Sequence, residues 1–115
     1  MQWTVTEQLV LVEAIDYYKP GDVYGWRNVS NLVITTLMYV EKMDEKTMAE
    51  FDERGCYEQF TALKLQYPLD KKDPNISQLE YININLRGKR INEINMELKK
   101  LSGVISQQQR GVAHN

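Results

Sequence analysis

The chain has 115 residues, 43% of them hydrophobic, enough for one modest buried core plus at most an appended element. A single cysteine, Cys56, and a single histidine, His114, exclude an intrachain disulfide and a Cys/His zinc site within this chain, and a reducing compartment fits. Charge is uneven: residues 1–70 hold 12 acidic and 6 basic side chains, a net of -6, while residues 71–115 hold 4 and 8, a net of +4, so the first part lacks the basic stripe of a nucleic-acid module.

Met1-Gln2-Trp3 opens the chain without the basic and apolar regions of a secretory signal. No apolar run approaches the roughly 20 residues that a membrane helix needs. Thr4 and Glu7 stand at capping-box spacing, where each side chain satisfies a free backbone N–H at a helix start. Val5, Leu9, Val12 and Ile15 follow at steps of three and four, so a helix is expected over 4–18. Lys19-Pro20-Gly21-Asp22 ends it.

Trp26 opens a second apolar stretch, with Val29, Leu32 or Val33, and Leu37 on one face. The β-branched run 33–36 lowers helix propensity. The length of the stretch, to about Val40, still favours a helix. Residues 41–52 carry no strong period. They read as a loop or a short helical insertion bearing Met43, Met48 and Phe51. A third helix is expected from about Glu53 to Gln66, with Cys56, Phe60, Leu63 and Tyr67 on one stripe. Pro68 closes it, and a linker is expected over 69–80.

Tyr81 to Leu86 alternates apolar and polar residues, which predicts an extended segment with Ile82, Ile84 and Leu86 on one face. A lone strand needs a neighbour, and this sequence offers none. Residues 88–109 predict a final helix. Ile91, Leu98 and Ile105 repeat every seven residues, and Ile94 and Leu101 follow the first two by three. This a/d seam must pack on the preceding domain, self-associate or bind another chain.

Trp3-Thr-Val-Thr-Glu-Gln-Leu9, Trp26-Arg-Asn-Val-Ser30 and Cys56-Tyr-Glu-Gln-Phe-Thr-Ala-Leu63 together resemble the Myb/SANT repeat. The resemblance implies a core of Trp3, Leu9, Val12, Trp26, Val29, Cys56, Phe60 and Leu63, with the three bulky aromatics at its centre. It narrows to the SANT-like region of the bromodomain-containing protein 8 family, whose charged last helix is matched by Arg90-Ile-Asn-Glu-Ile94. The match is weakest over 38–52 and 68–80, and no bromodomain lies within these residues. That family implies a nuclear scaffold subunit of a histone acetyltransferase complex, seated beside the MRG-binding protein. Repeats that read DNA carry several basic residues on the third helix. Here Asp52, Glu53 and Glu58 stand against Arg54 and Lys64, and such a face repels phosphate, so direct DNA binding is not expected.

The expected architecture is therefore mainly α: a three-helix SANT/Myb-like domain over 1–68, a linker over 69–80, then an extended segment and a long partner-binding helix over 81–110. Ile82, Ile84, Leu86, Ile91, Ile94, Leu98, Leu101 and Ile105 are the candidate partner-binding residues. The acidic set Glu41, Asp44, Glu45, Glu50, Asp52 and Glu53 would receive a basic histone tail or simply form a solvated loop. No glycine-rich phosphate loop, HExxH motif or catalytic Cys–His arrangement is present, so neither enzymatic activity nor a cofactor is expected. A DNA-binding Myb module, an MRG-binding-protein-like subunit and a homodimeric coiled-coil adaptor remain the alternatives.

Overall fold

A computed structural model describes residues 2–41, 45–68 and 75–113, with side chains except at 45, 46 and 105–113. The fold is mainly α. Helices α1 (Val5–Tyr18), α2 (Val23–Glu41), α3 (Glu45–Met48), α4 (Glu53–Gln66) and α5 (Gln78–Ala113) follow in order, with a 3-10 turn over Ala49–Phe51. There is no strand among the described residues.

Helix α1 starts where its caps require. Thr4 Oγ1 accepts from the Glu7 N–H at 3.1 Å, and Glu7 Oε1 accepts from the Thr4 N–H at 2.7 Å, so two orphan donors are satisfied reciprocally. The helix ends at Lys19, whose φ of 47° places it in the left-handed region. Gly21 does not take that role, since no glycine among the described residues has positive φ. A lysine Cβ is strained there, and glycine is not. Lys19→Gly is therefore expected to stabilise the chain by up to about 1 kcal/mol, seen as a rise of a few degrees in thermal midpoint.

Helices α1, α2 and α4 pack on one another as a three-helix body. Leu11, Val12, Val29, Val33, Leu37, Cys56 and Leu63 are fully buried at their meeting faces. The segment between α2 and α4 supplies a further core residue. Phe51, in the 3-10 turn, is fully buried, with its ring 4.6 Å from that of Trp3 in an edge contact. Its carbonyl accepts from Ser30 Oγ at 2.7 Å and lies 3.4 Å from Cys56 Sγ. The turn approaches α4 so closely that a Cβ at Gly55 would collide with the Glu50 carbonyl. The three aromatics expected at one centre divide between two clusters. Trp3 joins Phe51, while Trp26 lies against Tyr57 at 5.3 Å and Phe60 at 6.0 Å, nearer the edge.

Two expectations over 69–86 are corrected. Residues 81–86 are helical, inside α5, and the linker is shorter than 69–80 because α5 begins at Gln78. Residues 69–74 lie outside the described residues. Ser77 caps the helix, its Oγ accepting from the Glu80 N–H at 3.2 Å. Leu79, Ile82 and Leu86 then lie at steps of three and four, and this stripe packs on the core. The polar residues between them are satisfied within a helix: Asn85 Nδ2 donates to the Tyr81 carbonyl four residues back at 2.8 Å.

Candidate interaction surface

Helix α5 does two jobs along one axis. Its first turns close the core. Gln78 Nε2 donates to the Lys64 and Tyr67 carbonyls at 3.0 and 3.3 Å, tying α5 to the end of α4. Ile82 and Leu86 are fully buried against the body. Their expected role as partner-binding residues is corrected: they are core, because helical geometry turns them to the opposite side from Ile84. After Leu86, no α5 side chain is fully buried among those described. The helix nonetheless continues to Ala113, so its last 27 residues span roughly 40 Å at 1.5 Å per residue. The resulting molecule has a radius of gyration of 18.5 Å, against about 13 Å for a compact chain of this length.

This projecting arm carries the seam beyond its first residue, Ile84. Ile84, Ile91, Ile94, Leu98 and Leu101 are 57, 57, 40, 54 and 57% exposed. Helical spacing puts all five within one narrow sector, and Ile84 extends the every-seventh-residue series of Ile91 and Leu98 by one step toward the body. The side chain of Ile105, the next in the series, lies outside the described residues. Met96 and Val104 are exposed on other sides of the arm.

No family model, curated protein or solved structure matches the chain.

The junction between arm and body is polar. Glu13 Oε1 accepts from Arg87 Nη2 at 2.9 Å and from Asn83 Nδ2 at 3.1 Å. The hydrogen bond from Arg87, then that from Asn83, holds the Glu13 carboxyl below the usual carboxylate range. Its small contribution to stability is present above the ordinary carboxylate pKa and is lost as pH falls through the depressed one. Both partners are about half exposed, so the pair contributes little to stability and mainly fixes where α5 crosses α1. Further along, Arg90 lies 3.7 Å from Glu93 and 3.6 Å from Glu97. Burial, then the charge of Glu7, pushes the Glu41 carboxyl up, while Arg90 opposes this.

Glu13 also stands in the wall of a second apolar feature. A groove of about 440 Å³ runs between α1 and α2, lined chiefly by Leu9, Val10, Tyr17, Leu32 and Val40. Sequence periodicity did not reveal it, because it depends on which sides of α1 and α2 are left uncovered when the helices pair. Tyr17, an exposed aromatic on α1, stands in its wall.

The acidic set is partly committed to structure. Asp52 Oδ1 caps α4, accepting from the Gly55 N–H at 2.7 Å, and Glu53 Oε1 accepts from Arg27 Nε at 3.0 Å. Glu41 and Glu50 are exposed. Asp44 and the side chain of Glu45 lie outside the described residues. Among the described residues no group of acidic, histidine or cysteine side chains is placed to hold a metal ion. Cys56 is fully buried, and burial followed by the charge of Asp52 pushes its thiol up to about 12. It is therefore expected to react with thiol reagents at pH 8 only after denaturation, since the thiolate is the nucleophile. Rapid modification of the folded chain would contradict this placement.

Proposed function

We propose that the chain is a non-enzymatic interaction subunit of a nuclear histone acetyltransferase assembly, joined to its neighbours through the exposed apolar seam of α5. One observation carries the reading: five apolar side chains, each about half exposed, form one line on a helix that leaves its own core behind. An apolar stripe of this length facing water is a surface made to be covered.

The chromatin setting rests on the resemblance of residues 3–9, 26–30, 56–63 and 90–94 to the SANT-like region described above. By that resemblance the neighbour on the seam is the MRG-binding protein. The charges around α4 favour a protein partner over DNA. Arg27 is paired with Glu53 and Arg54 with Glu58 at 2.9 Å, so carboxylates stand beside both guanidinium groups and weaken their attraction for phosphate.

Covering the exposed half of each seam residue contributes about 1 kcal/mol, or roughly 5 kcal/mol together. Association costs at least about 4 kcal/mol in lost freedom. The seam by itself therefore supports a weak complex, and a lasting one draws on further contacts.

The test is purification of the tagged chain from nuclear extract at moderate salt. Co-purification of acetyltransferase-complex subunits, the MRG-binding protein among them, is the expected result. Tight, salt-sensitive binding to duplex DNA with no such subunits would overturn the proposal.

A further inference from the structure

The seam and the α1/α2 groove are neighbours on one side of the molecule. Arg87 falls in the same sector of α5 as Ile84 and Ile91, and it is bonded to Glu13, which lines the groove. A helix lying along the seam near the body would therefore also meet α1 beside the groove. Stable interfaces bury roughly 800 Å² per partner. One helix face does not supply that, and the groove adds apolar area where it is needed.

Charge selects the occupant. The body is acidic, with a net of -6 over residues 1–70. On the groove side Glu13 is already held by Arg87, and Asp16 stands exposed one turn further along α1. The arm is basic: over residues 88–104, Lys89, Arg90, Lys99 and Lys100 stand against Glu93 and Glu97. The natural complement of this acidic body with an apolar groove is an apolar-faced basic helix, and the chain itself carries one.

We infer that the free chain closes its seam on a second copy, with the two arms antiparallel and each basic arm lying over the acidic body and groove of its mate. The inference rests on the reading of the seam as the assembly surface, and it adds a self-covered state that a complex subunit must displace. The antiparallel sense follows from the charges. A parallel pair would set two acidic bodies side by side, while an antiparallel pair puts them at opposite ends, each against a basic arm. The arrangement is a closed two-fold, in which the same patch serves both copies.

Sedimentation of the intact chain from about 1 to 200 µM tests this. A monomer–dimer equilibrium in that range is expected. Leu98→Asp is expected to abolish it, and Lys99→Glu with Lys100→Glu to weaken it about tenfold at low salt and much less at high salt, with helicity unchanged in both. Orientation is read from a spin label on Arg110→Cys in the Cys56→Ala background, since Cys56 is the only native cysteine. An antiparallel pair separates the labels by more than about 30 Å, whereas a parallel pair brings them within about 20 Å. A chain that stays monomeric throughout, a dimer that ignores Leu98→Asp, or labels at the short distance would overturn the inference. A monomeric chain that still recovers acetyltransferase-complex subunits sinks this inference alone. A dimer that recovers none sinks the proposed function and leaves this one standing.

Discussion

Phe51→Ala is expected to destabilise the chain by about 3–5 kcal/mol and to lower its thermal midpoint by more than about 10 °C. The ring is fully buried and holds Trp3 by an edge contact at 4.6 Å. Removing it leaves a cavity beside Trp3 where α2 and α4 meet the turn. It also loosens the 3-10 turn whose carbonyl accepts from the buried Ser30 hydroxyl at 2.7 Å. That hydroxyl then competes for a partner inside the core, adding to the cost. Small domains have only about 5–15 kcal/mol in total, so a sizeable fraction of molecules would be unfolded at 37 °C. Calorimetry of the purified variant measures this. A midpoint within two or three degrees of the parent, on the order of 1 kcal/mol or less, would mean that Phe51 is not central.

The opposite pattern is expected on the arm. Ile91→Asp with Leu98→Asp should leave the folding of the body nearly unchanged, because both side chains are more than half exposed and neither belongs to the buried cluster. Surface substitutions of this kind usually change stability by no more than about 0.5 kcal/mol. Assembly should fail instead. Each aspartate would have to be dehydrated in the middle of the seam, a penalty of several kcal/mol for an unpaired charge. Two such charges exceed the roughly 5 kcal/mol that the whole seam supplies. The two variants thus separate the roles of the molecule: one breaks the fold and the other breaks only what the fold presents.

Much of the body is legible in the sequence because independent signals coincide there. Thr4 and Glu7 mark the start of α1 at the same place as its apolar stripe. Asp52 precedes α4, and Cys56 and Leu63 keep the stripe that the structure buries. Phe51 was visible only as an apolar residue in an unpatterned stretch. A single turn of 3-10 helix has no period to detect, so its burial becomes apparent only in three dimensions.

Residues 81–86 are helical although their alternation suits a strand. Ile82 and Leu86 are four apart, a spacing that satisfies both a strand of period two and a helix of period 3.6. Ile84 tips the pattern toward alternation, yet it belongs to the opposite, outward face. The deciding signals lay just upstream. Ser77 and Glu80 have capping spacing, and Leu79 precedes Ile82 by three. An unpartnered strand was already unfavourable. Helical geometry moves Ile82 and Leu86 into the core and leaves Ile84 as the first residue of the exposed seam.

The division of α5 at Leu86 into a short core segment and a long projecting arm is the centre of the account. It is tested most directly by comparing the parent with the Ile91→Asp, Leu98→Asp variant in parallel purifications from nuclear extract, each paired with a thermal melt of the same preparation. The account predicts superimposable melts and loss of the acetyltransferase-complex subunits from the variant. An identical set of partners, or a variant that melts many degrees lower, would contradict it.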